Sequence, residues 1–171
     1  MEKISVILKS GKDQSLRRYH PWVFSGAIKK IKGQPAEGDI VHVYDNKDEL
    51  LGIGHYQIGS IAVRILSFKD VQIDRDFWKK KLQKAVDLRK ILGLINNPDT
   101  TVFRLINAEG DGIPGLIVDY YNGVLVMQAH SIGMFKILEL LSEILTDLFD
   151  NNIKAVYNKS GSTLPYKANI E

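Results

Sequence analysis

A run of twelve residues near the N-terminus, RRYHPWVFSGAI from Arg17 to Ile28, brings cationic, imidazole and aromatic side chains together. Arginines contact phosphates and flat rings stack on bases, which is the chemistry by which proteins recognise RNA. Because Pro21 cannot continue a helix and restrains the residue before it, we expect a helix to end at His20 and a strand to follow. The alternative interpretation is structural: Trp22 and Phe24 pack in a core, and the arginines are solvated.

A second segment, NAEGDGIPG from Asn107 to Gly115, places Glu109 and Asp111 on an irregular, glycine-rich turn, and Asp119 follows it. Paired carboxylates could act as acid and base or bind a cation. However, the sequence shows no Asp-x-Asp-x-Asp-Gly calcium pattern and no base partner beside them. We therefore predict no catalytic residue and no metal site. The carboxylates either cap backbone N–H groups of a shaped turn or face a docked partner or substrate.

Composition narrows the classes of protein that the sequence can encode. The chain has 171 residues, of which 44% are hydrophobic, so it can bury a real core. It has no cysteine, which excludes disulfides and thiolate zinc sites, and its four histidines are scattered. The sequence shows no apolar run long enough to span a bilayer and no signal-peptide pattern, so we expect a cytoplasmic protein without a membrane partner.

The charge is uneven along the chain. Residues 1–95 contain 18 lysines and arginines against 11 aspartates and glutamates, a net charge of +7. Residues 96–171 contain 5 against 9, a net charge of −4. A basic first half beside an acidic second half indicates that a polyanion contacts the first half, because phosphate binding depends on clustered lysine and arginine.

The first 72 residues are predicted to form short strands separated by turn residues, with one helix at Ser15 to His20. Strands at this spacing favour a small closed or half-closed barrel, which also removes exposed strand edges. The predicted strands are Ile4 to Leu8, Val23 to Ile31, Asp39 to Tyr44, Leu50 to Tyr56 and Ile61 to Phe68.

From residue 73 onward the pattern predicts an α+β layer in which helices cover one face of a sheet. Asp74 is expected to cap a helix that is lysine-rich on its outer face, which is either solvated or part of a nucleic-acid footprint. Its predicted inward residues are Phe77, Leu82, Ala85, Val86, Leu88, Ile91 and Leu92. A second helix is predicted at Met134 to Phe149, and strands at Thr101 to Asn107, Leu116 to Tyr121, Val124 to His130 and Ile153 to Asn158, with a type I′ turn at Asn122-Gly123.

These motifs resemble a known family, the class I S-adenosylmethionine-dependent large-subunit ribosomal RNA methyltransferases of the RlmI type. RLINAEGDGIPGLIVDYY, residues 104–121, is similar to the signature of their central α+β domain, and KSGSTLPYK, residues 159–167, to the segment before their catalytic domain. The segments that resemble their opening PUA domain are RRYHPWVFSGAI, Gly38-Asp39-x-Val41-x-Val43, Gly52-x-Gly54-x-Tyr56 and Ile61-Ala62-Val63-Arg64. The resemblance covers nearly the whole chain in the family's order.

The resemblance implies an α+β protein: an N-terminal PUA-like β-barrel, residues 1–72, followed by an antiparallel sheet domain covered by helices, residues 73–171. It implies the RNA-binding and substrate-positioning region of an enzyme that forms 5-methylcytosine in 23S ribosomal RNA. The implied partners are large-subunit ribosomal RNA and the protein's own C-terminal methyltransferase domain, and a homodimer is left open.

The resemblance also implies two sets of site residues. The family's PUA residues map onto Arg17, Arg18, His20, Pro21, Trp22, Phe24, Gly38, Asp39, Gly54, Tyr56 and Arg64. Of these, Trp22, Phe24 and Arg64 could equally be scaffold. For RNA contact we select Arg17, Arg18, Tyr19, His20, Trp22, Lys29 and Lys30. The central signature implies a groove that faces the catalytic domain, lined by Arg104, Glu109, Asp111, Gly112, Pro114 and Asp119.

Two features of the family are not found in this sequence. Family members continue into a Rossmann-type domain that binds S-adenosylmethionine and carries a cysteine nucleophile, which attacks C6 to make cytosine C5 reactive. Neither the cysteine nor a cofactor loop between a strand and a helix occurs up to Glu171. We therefore expect this chain to bind RNA without catalysis and without a cofactor of its own, S-adenosylmethionine being bound by the full-length parent. The alternatives are a stand-alone PUA-type RNA-binding module and a protein-interaction fragment.

Overall fold

The computed structural model describes residues 3–164, which belong to two compact units, Met1–Gln72 (unit 1) and Ile73–Glu171 (unit 2). Each unit contains its own sheet. Of the segment that is similar to the family's pre-catalytic sequence, residues 165–167 lie outside the described part. Within residues 3–164, no helix has both the length and the apolar character needed to cross a membrane.

Unit 1 is built on a six-stranded sheet with the strand order β2-β6-β5-β4-β1-β3. β1 pairs with β4 in parallel, and the remaining neighbours pair antiparallel. A short helix, α1, follows β1. The elements are β1 Ser5–Leu8, α1 Gln14–Arg17, β2 Trp22–Phe24, β3 Ile28–Lys32, β4 Ile40–Tyr44, β5 Leu50–Tyr56 and β6 Ile61–Ser67.

The two edge strands of this sheet, β2 and β3, are joined by only three residues, the 3₁₀ helix Ser25–Ala27. Such a short connection requires the two edges to approach each other, so the sheet curls into a half-barrel. The N–H of Ser25 donates to Ser60 O at 2.8 Å and that of Lys9 to Ala27 O at 2.9 Å, which holds the connection on both sides. The half-closed barrel is therefore confirmed. The prediction of a single strand from Val23 to Ile31 is wrong, because Ser25–Ala27 leave the sheet at one edge strand and cross to the other.

The core of unit 1 lies inside the curled sheet, and the close approach of β5 to β6 depends on glycine. A Cβ on Gly54 would collide with the backbone carbonyl of Arg64, so any larger residue would push the strands apart. Tyr56 N–H donates to Asp39 O at 2.9 Å, and Gly38 N–H to Tyr56 O at 2.7 Å, which anchors the start of β4. The buried core residues are Val6, Leu8, Leu16, Val23, Val41, Val43, Leu51, Val63 and Ile65.

Unit 2 contains a four-stranded sheet with the order β10-β9-β8-β7. β7, β8 and β9 form an antiparallel meander, and β10 adds to β9 in parallel. Asn122 (φ 45°) and Gly123 (φ 92°) join β8 to β9, and positive φ at both positions confirms the type I′ turn. The elements are α2 Arg75–Ile91, β7 Val102–Asn107, β8 Leu116–Tyr121, β9 Val124–Ala129, α3 Ile132–Lys136, α4 Leu138–Leu148 and β10 Ala155–Asn158.

Helix α2 begins where the sequence predicts, because Asp74 accepts a hydrogen bond from Phe77 N–H at 2.9 Å. Its buried face differs from the predicted one. Leu88 and Ile91 are 43% and 83% exposed, and Leu92, just past the helix, is 60% exposed. The buried positions follow a stripe of helical spacing that includes one charged residue: Trp78, Leu82, Ala85, Val86 and Arg89.

The second predicted helix, Met134 to Phe149, is instead two helices. Ser131 accepts a hydrogen bond from Met134 N–H at 3.3 Å and so starts α3 at Ile132, two residues earlier than predicted. Ile137, with φ −111° and ψ 9°, leaves helical geometry and separates α3 from α4. The apolar stripe continues across this break, which is why periodicity alone does not reveal it.

Candidate functional site

Helix α1 ends three residues before His20, and its end exposes Tyr19. The N–H of Tyr19 donates to Leu16 O and that of His20 to Ser15 O, with Tyr19 at φ 62°. In this Schellman arrangement glycine is the usual left-handed residue, since a Cβ there is strained. Tyr19 is 74% exposed, and its ring meets that of Phe68 edge-on at 5.2 Å between centroids. An exposed aromatic at a strained position is typical of a residue kept for contact with a partner.

The rings of His20, Trp22 and Phe24 form a second aromatic surface, here called the aromatic platform. His20 meets Trp22 edge-on, with centroids 5.5 Å apart, and lies roughly parallel to Phe24 at 6.5 Å. The backbone N–H of Trp22 donates to His20 Nδ1 at 3.3 Å, which fixes the imidazole beside the strand. Phe24 is 48% exposed and His20 is also exposed. Exposed ring faces on a strand that the sheet holds in place suit stacking with unpaired bases.

The cations selected for RNA contact fall into two groups. The side chains of Arg18, Lys29 and Lys30 are exposed and make no ion pair or hydrogen bond with any residue between 3 and 164, so they are available to phosphates. Arg18 directly precedes Tyr19. Lys29 and Lys30 lie on β3, the edge strand of the sheet opposite β2 in the strand order.

The side chain of Arg17, in contrast, is paired within unit 1. Its guanidinium contacts three carboxylates: Asp13 at 2.6 Å, Asp45 at 2.9 Å and Glu49 at 2.7 Å. The hydrogen bond to Glu49, followed by the one to Asp13, raises the pKa of Arg17 further above its already basic value. The pKa of Asp45 is lowered, chiefly because its buried carboxylate accepts the N–H of Glu49. This network ties α1 to the β4–β5 turn and so positions Arg18 and Tyr19.

Other residues that the resemblance singled out in unit 1 hold strands together. Arg64 Nη1 donates to Gln57 Oε1 at 3.3 Å on the β5–β6 hairpin, opposite Trp22 on β2. Phe68, which supports Tyr19, was not predicted to belong to the site. It lies 49 residues away from Tyr19 in the sequence, so no local spacing could indicate the contact.

In unit 2 the carboxylates of the glycine-rich connection do have partners. Asp111 and Arg89 form a bidentate ion pair, with both N–O distances 2.7 Å and side chains 6% and 8% exposed. Asp111 also accepts the backbone N–H of Asn107 at 2.6 Å, and Arg89 Nε donates to Arg104 O at 3.0 Å. Asp111 thus caps a backbone N–H, as one of the two interpretations of the sequence expects, and it also has a cationic partner that the sequence did not indicate. The partner lies 22 residues earlier, on the buried stripe of α2.

Arg104 and Asp119, also predicted to line a groove, face each other across β7 and β8 on the side of the sheet away from the buried core. Arg104 Nε donates to Asp119 Oδ1 at 2.9 Å, and this bond is the main reason that the pKa of Arg104 is raised. The paired registers extend this open sheet face across all four strands. Its other residues include Val102, Tyr121, Val124, Val126 and Tyr157, of which Val102, Tyr121 and Tyr157 are 52%, 45% and 60% exposed.

The remaining predicted groove residues shape the connection between β7 and β8. Glu109 lies in the 3₁₀ helix Ala108–Asp111, which Gly112 ends in a left-handed conformation, and Pro114 is buried. Lys81 of α2 donates to Gly112 O at 2.6 Å. Burial, followed by repulsion from Lys84, lowers the pKa of Lys81. The predicted groove residues therefore lie in two places, the connection between β7 and β8 and the open sheet face.

Comparison with known proteins agrees with this architecture. Residues 6–68 match the family described as a PUA-like domain. The chain is 38% identical to "Ribosomal RNA large subunit methyltransferase I" of Alteromonas mediterranea, over 97% of this chain and 41% of that protein. It is 37% identical to the protein of the same name from Aliivibrio fischeri, over 98% of this chain and 42% of that protein. Over nearly its whole length, this chain is therefore similar to a part of these curated proteins. It spans about two fifths of the length of these curated relatives.

Two solved structures share the fold of this chain. A protein from Streptococcus mutans described as a SAM-dependent methyltransferase superimposes with a TM-score of 0.78 at 20% identity, over 91% of this chain and 40% of that one. SMU.776, described as a methyltransferase complexed with SAH, superimposes with a TM-score of 0.79 at 21% identity, over 95% of this chain and 41% of that one. The fold of each unit is therefore found in known structures.

The described residues do not fit the cofactor that these names imply. A cofactor loop joins a strand to a helix and leaves an acidic residue for the ribose, whereas the glycine-rich connection joins two antiparallel strands and its Asp111 is paired with Arg89. Among residues 3–164, no group of three or more histidine, aspartate or glutamate side chains is arranged to hold a metal ion.

Proposed function

We propose that this chain is the RNA-binding and substrate-positioning region of a SAM-dependent methyltransferase that acts on large-subunit ribosomal RNA in the cytoplasm. The observation that carries the proposal is the end of α1, where Tyr19 occupies a strained left-handed position with its ring exposed beside the unpaired Arg18. The left-handed backbone conformation alone favours glycine there. The PUA-like match over residues 6–68 supports the same assignment.

In this proposal the segment from Arg18 to Phe24, here called the corner of unit 1, binds an unpaired stretch of RNA. Tyr19 and the aromatic platform stack on bases, which is sequence-tolerant because every base has a flat face. Arg18 contacts the adjoining phosphate, and Lys29 and Lys30 contact phosphates at the other edge of the sheet. Arg17 keeps α1 in place through its three carboxylates. The corner therefore orients the RNA without reacting with it.

Unit 2 would connect this RNA-binding surface to catalysis. We propose that the open sheet face docks the methyltransferase domain of the same protein, because its apolar rows surround the Arg104–Asp119 pair and remain uncovered among residues 3–164. That domain would bind S-adenosylmethionine and supply the nucleophile for methylation of cytosine C5 in 23S RNA. The same exposed face favours one alternative, a protein-interaction or dimerisation fragment, which a mass measurement in solution would reveal. A stand-alone RNA-binding module is the other alternative.

The test measures the affinity of the chain for a structured ribosomal RNA fragment and for an unrelated duplex, each at several salt concentrations. Three proteins are compared: wild type, Arg18→Ala with Tyr19→Gly, and a control, Lys79→Ala, which removes an exposed cation from α2 in unit 2. We expect the double variant to lose the preference for the ribosomal fragment. Its log affinity should also fall less steeply with log salt, by about 0.7–0.9 for the lost phosphate contact. The control should retain the preference.

Equal binding of both RNAs by the wild type, or an unchanged preference in the folded double variant, would contradict the assignment of the corner. In that case, a dimeric mass that Tyr121→Asp abolishes would favour the interaction fragment, because Tyr121 lies on the open sheet face.

A further inference from the structure

Unit 2 contains a cavity of about 200 Å³ between α2, the outer end of β7–β8 and the end of α4. Its walls combine aromatic, aliphatic and polar side chains. Pockets for drug-sized ligands measure roughly 300–1,000 Å³, so this cavity suits one flat ring system. It lies within unit 2 and shares no residue with the corner of unit 1.

One wall of the cavity is a column of three rings. Phe103 and Tyr120, a cross-strand pair, stack with centroids 4.9 Å apart and planes inclined by 25°. Phe149, at the end of α4, stacks on Tyr120 at 5.6 Å and 13°. All three rings are only half-buried, so the column is open to the cavity rather than sealed in the core. Rings stacked in this way present flat apolar surface that a further flat molecule can contact.

The rim of the cavity supplies polar groups without protein partners. The side chains of Lys90, Asn96, Asp150 and Asn152 line it, and none makes a hydrogen bond or ion pair with any residue in the described range 3–164. Asn96 (φ 59°) and Asp150 (φ 52°) both adopt left-handed conformations there. Carboxamides and a carboxylate can pair with the donor and acceptor edge of a base, and an ammonium can pair with a phosphate.

We propose that this cavity binds a nucleobase, with the base against the Phe103–Tyr120–Phe149 column, its polar edge toward Asn96 and Asn152, and its phosphate toward Lys90. The base comes either from an unpaired nucleotide of an RNA or from a free nucleotide, since both present the same chemistry. The proposal does not depend on RNA binding at the corner of unit 1.

The experiment titrates the 171-residue chain, labelled with ¹⁵N, with four probes at up to millimolar concentration: cytidine 5′-monophosphate, cytidine, ribose 5-phosphate and a short single-stranded oligonucleotide. Shifts of backbone amides locate the binding, and the titration curves give affinities. Two variants probe the cavity. Phe149→Leu removes one ring and keeps apolar volume, and Lys90→Gln removes the charge at an exposed position. Tyr121→Leu is the control, because it alters a neighbouring tyrosine on the opposite sheet face.

We expect both cytidine-containing probes to shift amides around the cavity, and ribose 5-phosphate to leave them unchanged. Phe149→Leu should weaken binding about fivefold or more, the usual loss on removing a stacking ring. Lys90→Gln should weaken binding of cytidine 5′-monophosphate but not of cytidine, and Tyr121→Leu should change neither affinity. Shifts with the oligonucleotide alone would support the site and identify RNA as the source of the base.

Two results would overturn the proposal. One is the absence of cavity shifts with every base-containing probe. The other is equal shifts with ribose 5-phosphate, which would make the site one for phosphate only. If Phe149→Leu fails to fold, the nucleoside titration and Lys90→Gln still decide between these outcomes. A failure here leaves the corner of unit 1 untouched, because that site is tested with different variants.

Discussion

The buried ion pair between Arg89 and Asp111 predicts that Asp111→Ala strongly destabilises unit 2. The substitution removes both 2.7 Å contacts and leaves the guanidinium, in a side chain 8% exposed, with one hydrogen bond to Arg104 O. The backbone N–H of Asn107 also loses its acceptor, but Asn107 is exposed and water can replace it. The main cost is therefore a charge held away from water without a partner.

Removing one partner of a buried ion pair costs about 3–5 kcal/mol, because the remaining charge is desolvated and uncompensated. Single domains are stable by about 5–15 kcal/mol, so this loss removes a large part of the free energy of unfolding. For a urea dependence near 2 kcal/mol per molar, the unfolding midpoint should fall by about 2 M.

Urea unfolding can be followed in unit 2 alone. Trp78 is 2% exposed in α2, and its fluorescence reports on unit 2 when Trp22, the other tryptophan, is replaced by phenylalanine. The matched control is Asp119→Ala, which breaks the pair with Arg104, a side chain 48% exposed. An ion pair at the surface contributes about 0–1 kcal/mol, so the control should shift the midpoint little.

A second variant separates loss of the pair from loss of the carboxylate. Arg89→Met combined with Asp111→Ala removes both charges, and replacing a buried pair by apolar groups is often nearly neutral. We expect the double variant to be more stable than Asp111→Ala alone. The reasoning is refuted if Asp111→Ala costs no more than Asp119→Ala, or if adding Arg89→Met lowers stability further.

Three more predictions concern unit 1. Gly54→Ala should lower the free energy of unfolding of unit 1 by about 1–3 kcal/mol, since the new methyl group collides with the Arg64 carbonyl. The control is Gly26→Ala, whose methyl group meets nothing within 4 Å and should leave stability unchanged. Thermal unfolding of both variants checks this. The pKa of Asp45 is lower in the folded chain than its ordinary value, so the ionised carboxylate stabilises the fold at pH values above that ordinary value. This contribution is lost as the pH falls through the folded pKa. Asp45→Asn should therefore reduce stability at neutral pH and make stability fall less steeply on acidification. Unfolding curves across acidic pH measure this, with Asp48→Asn, a substitution at an exposed carboxylate, as the control. If the prediction is wrong, Asp45→Asn will leave the slope of stability against pH unaltered. Tyr19→Gly should change the free energy of unfolding by less than about 1 kcal/mol, because relief of the left-handed strain offsets the lost Phe68 contact. It should nevertheless weaken RNA binding about fivefold or more. Calorimetry and the RNA titration measure the two effects, and a larger loss of stability or an unchanged affinity would contradict the prediction.

The sequence predicts local structure well where a local signal determines it. The Asn122-Gly123 turn, the Asp74 cap and the alternating strands each depend on residues within a few positions of one another. The N-terminal cluster could also be recognised as a candidate site, because its residue types are unusual over a short stretch. The helix end was misplaced, since a tyrosine in the left-handed position gives no glycine signal.

By itself, the sequence determined the order of the elements and the two segments that carry unusual chemistry, Arg17 to Ile28 and Asn107 to Gly115. Only the tertiary structure decided which charged groups are available. Arg17 is paired with Asp45 and Glu49, which lie 28 and 32 residues away in the sequence. Asp111 is paired with Arg89, which belongs to the buried face of α2, whereas the neighbouring Leu88 does not. The physical reason is that desolvation makes a buried charge costly unless a partner meets it. The position of that partner depends on how the sheet and helix pack, which no local pattern contains.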